Sequence, residues 1–375
     1  MKSQLLPEGF RDSLPELAAK EYKINSIFIE LMRKNGYSLV RPPLIEFESS
    51  LFFLTNENEN DNSFRILDPL SQKMMGIRSD ITLQIARLSC GALANYPRPL
   101  RLCYSGDVFR VKNNSLNLSR QITQVGSEII GIEQNLCEKE LINLIIEILA
   151  KLKIKNFFLS FTMPTLIDAI CKDFKLSKKD LEFIKDRFMN KNIYGIKKIS
   201  RTLENVVTIL QSSVGSVSEN IKNLKTFKFP KFTQIEINNF IIIMKKIKKV
   251  FPKLEIFIDP LEIDESQYHS GIAFKVFSKN LKELFSGGNY KVFNENCIGF
   301  SGFLENLVKE SNIKTNVGSK IFVAIDSEID AKSIKKDGYI IVRAIKKLTS
   351  KEIRVNAKLH RCDYYFYNNK IIKVE

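Results

Sequence analysis

Residues 99–131 read as one long antiparallel β-hairpin, and the rest of the chain has to fold around it. Two stretches in which apolar residues alternate with others, 100–109 and 121–131, flank a polar loop at residues 111–118. Alternation with a period of two is typical of strands with one buried face, and two such stretches joined by a loop indicate a hairpin. The sequence therefore predicts a long hairpin with a wide loop.

One face of this hairpin has the composition of a pocket floor. Gln124, Gly126 and Glu128 point to the same side, because side chains alternate between the two faces of a strand. An amide, a glycine and a carboxylate make a poor core, whereas they suit a surface that binds a ligand. Arg110 ends the first strand and Arg120 begins the second, so two guanidinium groups flank the loop. The alternative is an ordinary edge hairpin with two surface arginines.

The stretch FR, a loop and then SRQITQVGSEIIG resembles motif 2 of class II aminoacyl-tRNA synthetases, in particular that of the histidyl-tRNA synthetase family. The resemblance covers about residues 5–310 and is weaker beyond them. Further segments resemble the same family in the same order: LLPEGFRD at 5–12 (opening segment), GYSLVRPPLIEF at 36–47 (motif 1), ESQYHSGIAFKVF at 265–277 (histidine-specific loop), FSGGNYKVF at 285–293 (the Gly-Gly-Arg-Tyr-Asp segment) and CIGFSGFLENL at 297–307 (motif 3).

The resemblance implies an α+β fold with a class II synthetase-like core, in which helices flank an antiparallel sheet. We expect this core over residues 1–315, a lysine-rich helical insertion at about 164–250, and a small C-terminal α/β domain over 316–375. The last is shorter than an anticodon-binding domain. Apolar periodicity predicts individual helices at these positions: Pro15–Asn35 with Gly36 as its C-cap, Thr82–Leu93, Asn135–Leu152, Ser327–Lys336 and Ser350–Leu359.

The net charge of +16 invites a nucleic-acid interpretation, which we discount. Lysine far outnumbers arginine, and asparagine and isoleucine are abundant, which suggests an AT-rich genome in which lysine is the common surface residue. Basic runs such as Lys245, Lys246, Lys248 and Lys249 follow helical periodicity, so we expect solvated helix faces.

Cysteine and histidine usage argues against a metal site. The six cysteines are scattered without a CxxC pair, and there are only two histidines, so we expect reduced core cysteines and no structural zinc. No apolar run approaches the ~20 residues of a membrane span. The start of the chain lacks the apolar region of a signal peptide, so we expect a cytoplasmic protein.

Carried over residue by residue, the resemblance implies a histidine-binding set: Asp80, Thr82, Arg110, Gln124, Glu128, Tyr268 and His269. In the family, a carboxylate and a threonine at a helix start hold the α-amino group, and Asp80 and Thr82 occupy those places. Asp80 stands for the family's glutamate, which shortens the reach by one methylene. Plain capping of the helix by Ser79 or Asp80 is the alternative, and the two roles are compatible.

Tyr268 and His269 stand where the family has two tyrosines that read the imidazole ring. A lone histidine is more often an ordinary core or surface residue, so the role of His269 stays open. Acceptor groups such as the Glu128 carboxylate suit an ammonium or imidazole N–H, and Gln124 can both donate and accept.

The groups that would bind ATP are missing. An amino-acid-activating enzyme needs arginines, whose planar fork pairs with phosphate and stays charged. No arginine occurs between Arg201 and Arg343, so no shift of alignment can supply one from that span. Other residues stand where the family has its ATP-site residues: Asn306 for the motif 3 arginine, Asn289 and Lys291 for the arginine and aspartate of Gly-Gly-Arg-Tyr-Asp, Asp264 near the catalytic arginine, and Lys112 for the motif 2 glutamate.

A histidine pocket without ATP-binding groups resembles the family of regulatory subunits of ATP phosphoribosyltransferase. Membership implies no catalytic residues, no cofactor and no metal. It also implies a dimeric synthetase-like core assembled with the short-form catalytic subunit into a hetero-oligomer, expected to be a hetero-octamer. The chain would activate the transferase in the first step of L-histidine biosynthesis and carry feedback inhibition by L-histidine. The alternatives are a divergent histidyl-tRNA synthetase and a synthetase-like accessory protein that binds RNA through its lysines.

Overall fold

The computed structural model describes eight stretches of the chain: 5–52, 63–111, 119–132, 137–262, 269–314, 318–325, 338–368 and 370–374. The chain divides into two compact units, Met1–Ile313 and Lys314–Glu375. Across the described stretches, no helix combines the length and apolar character that a membrane crossing requires.

A nine-stranded sheet forms the centre of the first unit, and a three-stranded sheet accompanies it. The strands are β1 (Ser38–Leu39), β2 (Ile45–Phe47), β3 (Arg65–Leu67), β4 (Met74–Ile77), β5 (Leu100–Phe109), β6 (Gln121–Ile130), β7 (Phe157–Thr162), β8 (Gly215–Ser216), β9 (Ile256–Ile258), β10 (His269–Ser278), β11 (Glu283–Val292) and β12 (Glu295–Phe303). The large sheet has the order β1-β5-β6-β12-β11-β10-β7-β9-β8, and the small one β2-β4-β3. All pairs in the large sheet are antiparallel except β1 with β5 and β7 with β9.

The predicted hairpin is confirmed. Strands β5 and β6 pair over their full length, from Leu100 opposite Ile130 to Phe109 opposite Gln121. Strand β1 lies at the edge of the sheet. Proline cannot donate a backbone hydrogen bond, so the two prolines that follow β1 are tolerated at an edge and would disrupt a central strand. The predicted fold class, a class II synthetase-like α+β core, is also confirmed.

Helices cover both faces of the large sheet. They are α1 (Pro15–Lys34), α2 (Glu48–Leu51), α3 (Thr82–Cys90), α4 (Glu138–Lys151), α5 (Leu166–Phe174), α6 (Lys178–Met189), α7 (Arg201–Ser212), α8 (Val217–Thr226), α9 (Lys231–Val250) and α10 (Leu304–Glu310). The buried side chains of α1, α4 and the helices from α5 to α9 join one face of the sheet in a large core. Helix α3 covers part of the opposite face through a smaller core that includes Ile81 and Ile85.

Three helix ends differ from the prediction. Helix α4 ends at Lys151 instead of Leu152, and its predicted start, Asn135, lies outside the described residues. Helix α3 stops at Cys90 instead of Leu93, because Gly91 departs from helical dihedral angles with φ −107° and ψ −104°. Helix α1 ends at Lys34, and its C-cap is Asn35. Gly36 follows with φ +84°, a left-handed conformation that glycine adopts without steric cost.

The insertion is mostly helical, with one element that the apolar pattern did not predict. The two-residue strand β8 lies within it and extends the large sheet by pairing with β9. So short a strand leaves too few residues to show a period.

The second unit is built on a four-stranded sheet. Its elements are β13 (Lys320–Val323), β14 (Ile340–Arg343), α11 (Ser350–Leu359), β15 (Tyr364–Tyr367) and β16 (Lys370–Lys373), and the strand order is β14-β13-β15-β16. Helix α11 packs on one face through Ile353 and Ala357, with Phe322 beneath them. The helix expected at 327–336 lies outside the described residues.

Candidate functional site

The residues picked from the hairpin lie on one face of the large sheet, which we call the site face. The register places Glu128 of β6 opposite Gly299 of β12, and Gly299 opposite Gly288 of β11. A Cβ atom on Gly299 would lie 1.6 Å from Glu128 Oε2. The absence of a side chain at Gly299 therefore makes the room that the Glu128 carboxyl group occupies.

Glu128 is the centre of a buried hydrogen-bond network. Its Oε1 accepts from Thr82 Oγ1 at 3.1 Å and from the Tyr104 hydroxyl at 3.2 Å. Its Oε2 accepts from the Tyr290 hydroxyl at 2.9 Å. These four residues, the Glu128 network, come from α3 and from strands β5, β6 and β11. Tertiary packing thus gathers three hydroxyl groups around one carboxyl group.

Glu128 is only 2 % exposed. Burial raises the pKa of Glu128 to about 8, and the hydrogen bond from Tyr290 limits that rise. Burial and the neighbouring Glu128 charge raise the pKa of Tyr290 well above its usual range. A buried acid with such a pKa is poised to lose its proton when a cation arrives beside it.

A second set of hydrogen bonds seats the start of α3 on the same face. Gln124 Nε2 donates to Asp80 Oδ2 at 2.8 Å, and the backbone N–H of Ile81 donates to Gln124 Oε1 at 2.8 Å. Asp80 Oδ1 accepts from the N–H of Thr82 at 2.6 Å. Asp80 therefore does bond to the helix start, and its second oxygen is directed to Gln124. This bonding is compatible with both roles considered for Asp80, which are capping of α3 and contact with the α-amino group of a ligand.

Arg78 fixes the segment that leads into α3. Its Nε donates to the carbonyl of Asp107 at 2.7 Å, and its Nη1 donates to the carbonyl of Pro42 at 3.1 Å. A Cβ atom on Gly106 would lie 2.3 Å from Arg78 Nη2, so a side chain at this position would displace the guanidinium group. Burial lowers the pKa of Arg78, and the charges of Asp107, Glu46 and Asp80 offset part of that effect.

Arg110 and Arg120 both stack on aromatic rings. The Arg110 guanidinium lies 5.0 Å from the centre of the Phe303 ring, and its Nε approaches the carbonyl of Ser79 at 3.4 Å. The Arg120 guanidinium lies 5.6 Å from the Phe10 ring and 4.6 Å from the Phe64 ring. Arg110 therefore lies beside the residues that lead into α3, whereas Arg120 connects the N-terminal segment to the hairpin.

His269 lies beside the network, and Tyr268 lies outside the described residues. His269 begins β10 opposite Tyr290, and a Cβ atom on Gly288 would lie 2.7 Å from His269 Cδ2. The imidazole ring thus covers Gly288, next to the place where Gly299 makes room for Glu128. Of the seven predicted residues, Asp80, Thr82, Gln124 and Glu128 are joined by hydrogen bonds, and Arg110 and His269 border them.

Two members of the site, Tyr104 and Tyr290, are not among the residues predicted from the sequence. Tyr104 could have been found from the hairpin alone, because it pairs with Gly126 and so shares the site face. Tyr290 follows the Gly-Gly pair in β11, and only the pairing of β11 with β12 brings it to Glu128.

Of the two asparagines that stand where the family has arginines, Asn306 makes an internal hydrogen bond and Asn289 leaves a buried oxygen unpaired among the described residues, and Glu305 lies beside Asn306 in the sequence. Asn306 Nδ2 donates to the carbonyl of Glu283 at 2.8 Å. Within the described stretches, the buried Oδ1 of Asn289 has no hydrogen-bond partner. Glu305 Oε1 accepts from the N–H of Thr123 at 3.0 Å, and burial raises the pKa of Glu305. None of these three side chains brings a positive charge to the site face.

The arrangement suits a small ligand that carries N–H groups. Carboxyl and hydroxyl oxygens converge on the site face, and Gln124 adds an amide. Searched over the described stretches, no group of three His, Cys, Asp or Glu side chains is placed to hold a metal ion.

Comparison with known proteins identifies relatives of the first unit and of nearly the whole chain. The family model described as histidyl-tRNA synthetase matches residues 9–307. A protein of Rhodospirillum centenum named ATP phosphoribosyltransferase regulatory subunit is 32% identical over 288 residues, which are 76% of this chain and 75% of that protein. A protein of Rhodospirillum rubrum with the same name is 30% identical over 347 residues, which are 91% of this chain and 90% of that protein.

Solved structures share the fold. A Bacillus halodurans structure titled as an ATP phosphoribosyltransferase regulatory subunit/histidyl-tRNA synthetase has a TM-score of 0.80 at 20% identity and covers 96% of this chain and 97% of its own. The structure of histidyl-tRNA synthetase from Nostoc has a TM-score of 0.75 at 15% identity, and the match covers 96% of this chain and 90% of the Nostoc chain. At such identities these two likenesses establish the architecture and nothing further.

Proposed function

Because the chain belongs to the family of ATP phosphoribosyltransferase regulatory subunits, we propose that it senses L-histidine through the Glu128 network and passes the signal to a catalytic subunit. The catalytic partner is the short-form transferase, which this chain activates in the first step of L-histidine biosynthesis. Bound histidine acts as a feedback inhibitor. The predicted set Asp80, Thr82, Arg110, Gln124, Glu128, Tyr268 and His269 would contact it.

The observation that carries the proposal is the buried Glu128 carboxyl group with three hydroxyl groups around it. A fold rarely buries a carboxyl group without a cation unless that group has a use. An ammonium or imidazole N–H from the ligand would donate to Glu128 and stabilise its charged form. Asp80 and Gln124, joined to each other at 2.8 Å, add a second acceptor and a group that can donate or accept.

The proposal includes the absence of catalysis by this chain. Adenylate formation requires cations that stabilise charge on the phosphates, and loss of one such group commonly costs orders of magnitude in rate. Asn289 in β11 and Asn306 in α10 carry no positive charge. We therefore expect no aminoacyl adenylate from the purified chain.

The proposed assembly is a dimer of this chain combined with catalytic subunits into a hetero-octamer in the cytoplasm. The dimer is supported by exposed apolar side chains on the small sheet, among them Phe47 and Ile66. Large apolar patches on a surface usually mark a site of association.

The experiment measures transferase activity of the reconstituted complex with increasing L-histidine. We expect wild-type chain to activate the catalytic subunit and histidine to inhibit the complex. Glu128→Gln and Tyr290→Phe should assemble and activate but require at least about tenfold more histidine for inhibition, since each removes a charged or hydrogen-bonding group. Tyr22→Phe, a change on an exposed part of α1, is the matched control.

Two results would contradict the proposal. One is inhibition by histidine that is unchanged in Glu128→Gln and Tyr290→Phe. The other is histidine-dependent ATP–pyrophosphate exchange by the purified chain, which would identify a divergent synthetase instead. A steeply salt-dependent shift of RNA, with no effect on the transferase, would favour the RNA-binding accessory protein.

A further inference from the structure

A buried carboxylate of the small sheet holds α3 at two positions. Glu46 lies in β2, and its side chain is 8 % exposed. Its Oε1 accepts from Gln84 Nε2 at 2.7 Å and from Arg87 Nη2 at 2.6 Å. Gln84 and Arg87 are three residues apart in α3, so they lie on the same side of that helix. One oxygen of the small sheet therefore binds one side of α3.

Thr82 lies on the other side of α3. Residues of an α-helix follow each other at about 100° around the axis, so Thr82 and Gln84 are about 200° apart. Thr82 Oγ1 donates to Glu128 Oε1 at 3.1 Å, whereas Gln84 Nε2 also donates to the carbonyl of Pro43 at 2.8 Å. The helix cannot turn about its axis without breaking one of these two sets of hydrogen bonds.

Helix α3 depends on such outside contacts for its orientation. It is nine residues long, and its N-cap residue Ile81 provides no side-chain cap. A helix this short is marginal by itself and is stabilised mainly by tertiary contacts. Gln84 is itself fixed, because it is buried and its Oε1 accepts from Arg78 Nη1 at 3.3 Å. The grip of Glu46 on Gln84 and Arg87 therefore acts on a helix that lacks a strong anchor of its own.

We propose that Glu46 is a positioning residue that sets the orientation of α3 and so keeps the Thr82 hydroxyl group on Glu128. The inference deepens the proposed function, on which it rests for the identity of the ligand. Ligand affinity then depends on a residue of the small sheet that is not part of the Glu128 network.

The position of Glu46 in β2 links the ligand site to the proposed self-association surface. Ile45 and Phe47 flank Glu46 and point to the opposite face of the small sheet, where both are exposed. The sheet whose outer face is proposed to bind a second copy of the chain thus supports α3 from its inner face.

The first measurement is the pKa of Glu128 in the ligand-free, full-length chain. It is followed by NMR with ¹³C in the glutamate carboxyl groups, and Glu128→Gln identifies the signal. Glu46→Leu removes the acceptor that binds α3. Glu46→Gln keeps an acceptor oxygen, and its amide nitrogen takes the place of Oε2, which has no hydrogen-bond partner within the described stretches.

Glu140→Leu is the matched control, because it also removes a carboxylate that pairs with an arginine. Glu140 of α4 accepts from Arg101 Nε and Nη2 at 2.8 and 2.9 Å. Arg101 pairs with Ile129, so it lies on the face of the sheet opposite to Glu128. Gln84→Leu, which removes the contact from the side of α3, replaces Glu46→Leu if a thermal melt shows that the latter is unfolded.

The expected result is a non-additive change. Burial raises the pKa of Glu128, and the hydrogen bond from Thr82 lowers it. Glu46→Leu and Thr82→Val should each raise this pKa, and the double variant should match Thr82→Val, because both changes remove the same hydrogen bond. Glu46→Gln and Glu140→Leu should keep the wild-type pKa. An unchanged pKa in Glu46→Leu, or additive shifts in the double variant, overturns the proposal.

The second measurement is inhibition of the reconstituted complex by L-histidine. We expect Glu46→Leu to require about tenfold more histidine for half inhibition, and Glu46→Gln and Glu140→Leu to require the same as wild type. Unchanged inhibition in Glu46→Leu refutes the positioning role alone. A wild-type complex that ignores histidine refutes the proposed function, whereas the pKa of Glu128 still decides whether Glu46 positions α3.

Discussion

At the scale of single residues, the site depends on one buried acid. Glu128 loses hydration because α3 and three strands enclose it, and three hydroxyl groups replace only part of that hydration. The neutral form is favoured until the pH approaches the raised pKa of about 8. A cationic ligand would favour the charged form, so we expect ligand binding to release a proton from Glu128 near neutral pH.

The raised pKa predicts how stability depends on pH. In the unfolded chain Glu128 ionises near its ordinary pKa of 4.5, whereas in the folded chain it keeps its proton up to about pH 8. Its contribution to the free energy of unfolding is therefore largest below pH 4.5 and falls as the pH rises to 8, by at most about 5 kcal/mol. Urea unfolding of wild type and Glu128→Gln at pH 5 and pH 8 checks this. From pH 5 to pH 8, Glu128→Gln should lose less free energy of unfolding than wild type. Equal losses in the two proteins would count against a protonated Glu128.

At the scale of elements, the insertion is held together by a long-range cap. Helix α9 begins after Pro230 and receives no cap from that residue's own side chain. Asp173, at the end of α5, instead accepts from the N–H groups of Phe232 and Thr233 at 3.0 and 2.7 Å, and from Thr233 Oγ1 at 2.8 Å. A carboxylate at a helix N-terminus also interacts favourably with the helix dipole. One side chain thus joins the two helices.

Removal of this cap should loosen the insertion while the Glu128 network stays intact. We expect Asp173→Ala to lower the free energy of unfolding by about 1–2 kcal/mol, since three hydrogen bonds lose their acceptor. Glu182→Ala, on an exposed position of α6, is the control. Urea unfolding measures the loss, and limited proteolysis shows whether α9 is the part that opens. No difference between the two variants would mean that packing alone joins α5 to α9.

At the scale of the whole molecule, the small sheet presents an apolar surface. Ile45, Phe47 and Ile66 are 36, 40 and 40 % exposed, and pairing with β4 places all three on one face of that sheet. Met75 lies between Phe47 and Ile66 in the register. An apolar face of this kind on three strands fits association with a second copy of the chain, as proposed above.

Substitution of that face should dissociate the proposed dimer. We expect the double variant Phe47→Ser and Ile66→Ser to sediment as a monomer at concentrations where wild type is a dimer, because most of the apolar area at the contact is lost. Leu281→Ser, which changes a 73 % exposed residue of the β10–β11 turn, should leave sedimentation unchanged. A double variant that sediments like wild type would place the dimer contact elsewhere.

The sequence by itself determined what depends on neighbours along the chain. The alternation in residues 100–109 and 121–131 specified both strands of the hairpin, and the period of two placed Gln124, Gly126 and Glu128 on one face. The order of motifs indicated the family and the fold. These features follow from local spacing and backbone geometry, so they can be read without knowledge of the other strands. Tyr268 as a ligand contact stays a prediction.

Only the tertiary structure decided which distant side chains meet. Tyr290 reaches Glu128 because β11 and β12 pair in one particular register, and a shift by one residue would turn it to the other face. A register shift between β10 and β11 pairs Phe277 with Glu283, and no local pattern in the sequence predicts it. Arg120 stacks between Phe10 and Phe64, more than fifty residues away. Register between strands is set by packing of the whole sheet, and for that reason these contacts could not be predicted from spacing.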